Sequence, residues 1–526
     1  MLAERNMDPT LRTDVVIIGA GPTGLSLATQ FVRHGVEFVI VEKNKGVTPF
    51  SKAIGVQART LEIYEQIDLA QKAVEEGTIA GKARLLAGGE MRAELDLSDI
   101  GKGLSAYPYL LLLEQSKNEQ LLYDYLQQRG KEVLWDTELK GFTQTGARVN
   151  AQFGSGGSPL TIAAKFLVGC DGTKSLVRRT LGFEFPGSTV KRMFFVADVK
   201  VDWKFSHDAL HVCLSKDALL AFFPLKGDKR YRIVGSFPEE FAKDEGEVLY
   251  DEIEQQIRED AKLELDIHDV DWFSTYKVHT RHVNKFSEGR CFLAGDSAHI
   301  HTPAGGQGMN TGIQDGYNLA WKLALALRGK ADEKLLDSYN EERLENAKIL
   351  TQSTDRAFQF LASSEWFLAF LRTNVLPSIA KYMLSLDAVR SFVFPVISQI
   401  GINYRHGSLS QHAGDENFTV KAGDRMPYFL IDGASVYDRL REARAHFVVF
   451  STDGNEHQQL RAEVESRFAP FVDFHEIALQ YAGGAFGVDR PFSVFLRPDN
   501  YIGFLSTEIS LKAVDSYLNN FLGFGQ

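Results

Sequence analysis

The sequence predicts an α/β protein in which a parallel sheet is interleaved with a second, β-rich sheet and followed by a smaller α/β unit. Three observations predict it. The chain opens strand–turn–helix–strand. Its hydrophobic pattern changes to β-type alternation over residues 84–113 and 191–280. An apolar run at Phe292-Leu-Ala-Gly295 then returns it to a glycine-rich turn and a helix.

In order, Asp14-Val-Val-Ile-Ile18 is a short apolar strand, Leu25–His34 has helical periodicity, Gly35 stops the helix, and Glu37–Glu42 is the next strand. Such a β–α–β opening implies parallel strands with a right-handed crossover. Ala218–Leu225 and Tyr231–Phe237 read as strands of the second sheet, helices follow from about Asn310 to Leu327 and from Glu333 to about Ala362, and a linker carries Gly414, Asp415 and Glu416. The last unit reads as strand His446–Ser451, a helix near Glu456–Phe468, strand Phe471–Ile477, a hairpin at Phe492–Leu505 and a C-terminal helix. The expected division is 1–83, 114–190 and 281–355 for the first domain, 84–113 and 191–280 for the second sheet, 356–410 for a helical connector and 411–526 for the last unit.

Composition narrows the function. The 526 residues are 44% hydrophobic and 24% charged, an ordinary globular balance. Fifty-eight Lys and Arg against 69 Asp and Glu give a net charge of −11, and no basic stripe offsets it, so a nucleic-acid partner is not expected. Cys170, Cys213 and Cys291 are odd in number and far apart, with no CxxC pair, which fits a reducing, cytoplasmic setting. Met1–Thr13 is polar and leaves no room for a signal peptide. The uncharged run Val15–Val32 is broken by Gly19, Gly21, Pro22 and Gly24, and the aromatic-rich stretch Ala357–Tyr404 by Arg372, Lys381, Asp387 and Arg390, so neither reads as a membrane span.

Gly19-Ala-Gly21-Pro22-Thr23-Gly24 lies between the first strand and the first helix. In such a GxGxxG turn the first glycine permits the bend, the second lets backbone approach a pyrophosphate, and the third lets helix and strand close together. The phosphate then sits at the helix N-terminus. Glu42, 18 positions after Gly24 at the end of the second strand, is placed to accept hydrogen bonds from a ribose. Together these predict a Rossmann-type dinucleotide site, for NAD(P) or FAD.

Two later blocks decide between them. Leu167-Val-Gly-Cys-Asp171-Gly172 ends a strand, with Ser175, Arg178 and Arg179 following. Gly289–Gly295 delivers Asp296 to the C-terminal end of an apolar strand, where doubly wound sheets bind ligands. Pro303-Ala-Gly305-Gly306-Gln-Gly308-Met309-Asn310 then opens a helix whose positive end suits the negative charge of a reduced flavin, and Asp296 suits ribityl hydroxyls.

These blocks resemble the fingerprints of the single-component flavoprotein aromatic hydroxylases, the para-hydroxybenzoate hydroxylase and phenol hydroxylase superfamily. Phe50–Glu62 resembles the segment that follows the ribose acid in that family, with Lys52 standing where many members carry Arg and the pentachlorophenol monooxygenase-like branch carries Lys. The resemblance implies a cofactor set of Gly19, Gly21, Pro22, Thr23, Gly24, Glu42, Lys43, Lys52, Arg59, Gln115, Asp171, Asp296, Pro303, Gly305, Gly306, Gly308, Met309 and Asn310, with Gln115 on the ribityl chain and Pro303 bordering the flavin ring. Gly423–Pro427 and Arg497–Ile502 resemble that branch's thioredoxin-like tail, here without any cysteine, so thiol redox chemistry is excluded there. The implied cycle is reduction of FAD by NADPH or NADH, addition of O2 at the flavin C4a position, and hydroxylation of an electron-rich ring by the hydroperoxide. A single GxGxxG means that the nicotinamide nucleotide binds transiently.

Substrate residues are expected on the second sheet: Phe222 and Pro224 on one strand face, and Arg232, matched to a pocket-facing position in relatives and able to hold a phenolate or carboxylate. His207, His211 and Tyr231 are weaker candidates for assisting deprotonation, and the Phe358–Phe370 aromatic stripe reads as core or dimer surface in a monomer or homodimer. His299 and His301 lack the partners of a metal site, Ser297 lacks the second glycine of a nucleophile elbow, and no Trp-x-Trp is present to suggest a halogenase. The leading expectation is an FAD-dependent, NAD(P)H-consuming hydroxylase of a phenolic or polycyclic aromatic compound. Baeyer–Villiger oxygenation of a polyketide and a non-catalytic flavin-binding regulator are the alternatives.

Overall fold

In the computed structural model, which describes the chain outside residues 1–9, 50–52, 156–157, 215–218, 240, 242, 245, 303, 332, 363–378, 380–381, 384–385, 415–416, 469 and 522–526, strand Thr10–Ile18 lies inside an eight-stranded sheet. It runs parallel to Phe38–Val41 on one side and to Ser158–Gly169 on the other. Val133–Leu134 and Cys291–Leu293 extend the parallel set. Val15, Val16 and Ile17 are fully buried, as continuous apolar runs are in parallel sheets covered on both faces. Helices Pro22–His34, Gln115–Gln127 and Gly308–Leu327 pack together over the strand ends, joined by the long helix Glu333–Ala362.

The second sheet also has eight strands, built around the antiparallel pair Gly187–Trp203 and Leu265–His282 and continuing through Arg230–Ser236, Leu219–Pro224, Ala209–Leu214, Lys82–Ala87 and Glu90–Asp96. Its strands thus begin earlier than the sequence pattern indicates. Leu110–Leu112 joins Gly55–Val56 and Thr78–Ala80 in a small three-stranded sheet instead. Helix Tyr250–Ala261, which the alternating pattern around it hid, covers one face of the second sheet with Ile253 and Ile257 against Phe195, Phe222 and Ile233.

The C-terminal unit is a five-stranded mixed sheet. Ala445–Ser451 is parallel to Val472–Ala478 and antiparallel to Phe492–Leu496, which pairs in turn with Ile502–Ser506. Helices Gln458–Phe468, Leu479–Phe486 and Leu511–Phe521 accompany it. Among the described residues no helix is long and apolar enough to cross a membrane.

This unit buries histidines. His446 Nδ1 lies 3.0 Å from His475 Nε2, with Asp473, itself paired to Arg444, 4.0 Å from His446. Burial, with lesser repulsion from His475 and from Arg33 of the first helix, pushes His446 down to about 3. Burial likewise lowers His475. Their folded pKa values lie below the unfolded value of about 6.5, so the unfolded chain takes up protons first. Stability is complete above that pH and falls as pH drops below it, by about 1.4 kcal/mol per pH unit for each proton. His446→Gln is expected to flatten the acid side of a melting-temperature profile; an unchanged slope between about pH 4 and 6.5 would show that His446 is not a source of it.

Candidate active site

The first turn behaves as its three glycines require. Gly19 has φ +105°, and a Cβ there would lie 2.4 Å from the Cys170 carbonyl oxygen. A Cβ on Gly24 would lie 1.9 Å from the Gly19 carbonyl oxygen, whereas one on Gly21 meets nothing within 4 Å. The turn is therefore closed at both ends and open in the middle. Helix Pro22–His34 begins there with no side-chain cap and no acid in its first turn, which leaves its positive end for an anion. Glu42 accepts from the Ala20 amide at 2.9 Å and from the Asn44 amide at 3.0 Å, which fixes its carboxylate beside the turn. Lys43 is exposed next to it.

Both later motifs converge on this turn. Cys170 and Asp171 back Gly19, while Gly295 and Gly312 both face Thr23, whose Oγ1 lies 2.3 Å and 2.2 Å from their ideal Cβ positions. Asp171 Oδ2 accepts from the amides of Leu176 and Val177, but its Oδ1 is buried without a partner, and burial raises its pKa. A buried orphan acceptor of this kind fits a ligand hydroxyl or amide. Asp296 stands exposed at the end of strand Cys291–Leu293.

The glycine-rich loop forms the other wall. Gly305 and Gly306 have φ +78° and +62°, and helix Gly308–Leu327 starts with neither a side-chain cap nor an acidic residue in its first turn. Gln57 Nε2 donates to the Gly305 carbonyl oxygen, and the Gly306 carbonyl oxygen approaches Gly55. Gln115 opens helix Gln115–Gln127. Its Oε1 takes a long hydrogen bond from the Ala53 amide, and its Nε2 donates to Glu119, whose pKa is raised by burial and, more weakly, by nearby Glu42. Two uncapped helix N-termini, two carboxylates at strand ends and a glycine loop thus lie close together, a donor set suited to a long ligand with a phosphate and polar hydroxyls.

Several expected contacts differ. Arg59 is not at this space: it is 1% exposed, bonded to Glu62 and to the Asp499 carbonyl oxygen, and packed over the rings of Tyr317 and Tyr501. Its charge is satisfied inside the protein and ties the first domain to the C-terminal unit. Asn310 is consumed as well. Its Oδ1 accepts from the Gln57 amide and Thr60, and its Nδ2 donates to the carbonyls of Gly55 and Gly306, so it locks the loop rather than presenting an amide to a ligand. Met309 is half-buried, its sulfur 3.6 Å from Asn118 Nδ2. Lys52 and Pro303 lie outside the described residues, as do the side chains of the Phe358–Phe370 stripe.

On the second sheet the expected trio splits. Phe222 and Pro224 point to the face covered by helix Tyr250–Ala261, with Phe222 fully buried and 4.7 Å from the Trp203 ring. Arg232 pairs across the sheet with Phe223 and so lies on the opposite face. It is fully buried, holds Asp198 through two hydrogen bonds of 2.7 Å, and donates to the Ala53 carbonyl oxygen at 2.9 Å; Trp272 Nε1 completes Asp198. Arg232 is therefore a strut between the second sheet and the segment leading to Gly55, with its charge already neutralised. The half-buried apolar side chains on its face include Val212, Phe223 and Val234. His211 is buried against Trp203 and lowered to about 4 by burial, and His207 bonds the Leu225 carbonyl, which leaves both as packing groups.

His299 bonds Asp315 at 2.7 Å. Among the described residues no group of three or more His, Cys, Asp or Glu could hold a metal ion. Sequence reasoning missed Asp315 and Arg343. Asp315 accepts from the Gly295 amide at 2.8 Å and from Arg343 at 2.6 Å, and so fixes the turn that carries Asp296.

Residues 12–354 match the model of a family described as FAD binding domain. The chain belongs to that family. A flavin-dependent monooxygenase of Mycobacteroides abscessus is 32% identical over 94% of this chain and 97% of its own length. A 12-dehydrotetracycline 5-monooxygenase/anhydrotetracycline 6-monooxygenase of Streptomyces rimosus is 34% identical over 94% and 95%. The solved structure of an anhydrotetracycline hydroxylase from Streptomyces rimosus superposes with a TM-score of 0.78 at 26% identity, covering 98% of this chain and 99% of that one. This FAD binding domain protein is accordingly a flavoprotein monooxygenase of the aromatic-hydroxylase class, with FAD as cofactor and NAD(P)H and O2 as the usual co-substrates of that class.

Proposed function

We propose that the enzyme hydroxylates a polycyclic, polyketide-like phenol. One observation carries this reading: Val212 and Phe223 of the second sheet pack in one apolar cluster with Ile54, next to Gly55, which the Gly306 carbonyl oxygen of the glycine loop approaches, so a ring held on that face would meet the flavin edge with water kept away. Bound FAD would supply electron transfer from NAD(P)H and delivery of one oxygen atom of O2 to the ring. The chain's own residues do the rest. Gly21, Thr23 and Gly24 present backbone N–H groups to the pyrophosphate, Gly19 makes the bend and Pro22 opens the helix, Glu42 takes the ribose hydroxyls, and Asp171, Asp296 and Gln115 border the ribityl chain. Gly305, Gly306, Gly308 and Met309 give the flavin ring a backbone cradle at a positive helix end. Val212, Phe223 and Val234 form the apolar wall, and Arg232 keeps that wall in register with the flavin-side segment 53–57.

Support for the substrate class comes from the relatives named for oxygenation of 12-dehydrotetracycline and anhydrotetracycline. The C-terminal unit we read as thioredoxin-like, since its β–α–β–α–β–β–α order, with the parallel pair at one edge of the sheet, matches that plan without its cysteines. We place the domain limits near residues 83, 113, 190 and 280, with the second sheet's long strands overrunning them to Gly187 and His282.

The test is NAD(P)H oxidation by the purified holoenzyme across monocyclic and tetracyclic phenols. Tetracyclic phenols should stimulate it and leave as products with one added ring hydroxyl. Stimulation by monocyclic phenols alone, or a lactone product, would overturn the reading. Phe223→Ala should raise the phenol KM about tenfold through lost apolar contact, with FAD content unchanged; an unchanged KM would remove Phe223 from the wall.

A further inference from the structure

The helix that carries the flavin cradle is not held by its own domain alone. Glu342 and Arg343 are neighbours on helix Glu333–Ala362, both buried, and they face different partners. Arg343 donates to Asp315 at 2.6 Å, to the Thr311 carbonyl oxygen at 3.3 Å and to the Tyr404 hydroxyl at 2.8 Å. Thr311 lies in the first turn of helix Gly308–Leu327, and Asp315 fixes the Gly295 amide next to Asp296. One guanidinium therefore governs both the cradle's helix end and the aspartate turn. Tyr404, its partner, is anchored through its own amide to the Gly423 carbonyl oxygen at the edge of the C-terminal unit.

Glu342 continues the chain of charges. It accepts from Lys322 and Asn318 of the cradle helix at 2.7 Å each and from Arg497 of the C-terminal unit at 2.5 Å and 3.0 Å. Arg497 also holds Asp499, and its guanidinium packs over the rings of Trp321, Tyr404 and Tyr501. Buried networks of this kind hold their geometry tightly, because each member displaced leaves another charge without its partner.

We propose that the C-terminal unit is a working part of the flavin site: Tyr404 and Arg497 are positioning residues that set FAD affinity and reduction potential by holding Arg343 and Glu342 against the cradle helix. The inference rests on the proposed placement of FAD at Asp296 and the Gly305–Gly308 loop.

Three holoenzyme variants test it. Tyr404→Phe keeps the ring and loses only the hydroxyl that Arg343 uses. Tyr437→Phe is a matched control, a buried C-terminal tyrosine whose hydroxyl donates to the Met426 carbonyl oxygen and accepts from Arg425, neither of which belongs to the network above. Asp296→Ala tests the placement itself. Tyr404→Phe should raise the FAD dissociation constant about three- to tenfold and move the flavin potential negative, because the helix end that favours a reduced, anionic ring is loosened. Tyr437→Phe should lower the melting temperature to a similar degree and leave affinity and potential unchanged. Asp296→Ala should weaken FAD binding. Unaltered affinity and potential in Tyr404→Phe, or equal changes in both tyrosine variants, would overturn the inference while the placement stands. Full FAD affinity in Asp296→Ala would remove the placement and the inference together.

Discussion

Gly24→Ala is expected to strip the protein of flavin. The new methyl group would lie 1.9 Å from the Gly19 carbonyl oxygen and 3.4 Å from Cys170 Cβ, and the first of these is backbone that cannot rotate away. The helix must back off from the turn, and its N-terminus leaves the phosphate position. Overpacking of this kind costs about 1–3 kcal/mol. Passed on to the ligand, that weakens FAD binding roughly five- to hundredfold. Gly21→Ala is the informative companion. Its Cβ meets no protein atom within 4 Å, so it should leave the apo-protein's melting temperature intact and still lower FAD content, since it intrudes only where a pyrophosphate would lie. Normal FAD content in both variants would mean that the dinucleotide sits elsewhere.

The second large effect lies far from the glycine turn. Arg497→Met should destabilise the protein by about 3–5 kcal/mol, the cost of breaking a buried ion pair from one side. Glu342 keeps Lys322, but Asp499 is left 1% exposed with the Trp321 Nε1–H as its described side-chain donor at full strength. The double variant Arg497→Met with Asp499→Asn should recover part of that loss, because the stranded charge is gone. A fall in the denaturation midpoint that the second substitution fails to relieve would show that lost packing over Tyr404 and Tyr501, rather than charge, dominates.

What could be read from the sequence follows from how local each feature is. The glycine turn, Glu42, the aspartates that close two strands and the second glycine loop are each contiguous, and each carries its own backbone requirement. Their positions emerge directly, and Gly19 and Gly24 have the close approaches their spacing implies. The second sheet was legible as strands but not as faces. Period-two alternation correctly separates Phe222 from Phe223, yet which of them looks toward the flavin side depends on the pairing of Phe223 with Arg232 and on helix Tyr250–Ala261 covering the other face. Arg232 was legible as buried and cationic only once Asp198, 34 residues away, stood beside it. Arg59 illustrates the same limit: its partner is a carbonyl 440 residues distant. The Asp315–Arg343–Tyr404 and Glu342–Arg497–Asp499 network joins separate stretches of chain, and its one local step, Arg497 to Asp499, gives no sign of the partners beyond it.

The most direct measurement is turnover of the holoenzyme with a tetracyclic phenol under isotopically heavy O2, with mass spectrometry of the product. One heavy oxygen atom in a new ring hydroxyl, dependent on NAD(P)H and lost when FAD is removed, is the predicted result. Product oxygen drawn from water, or NAD(P)H consumed with every phenol returned unchanged, would contradict the account.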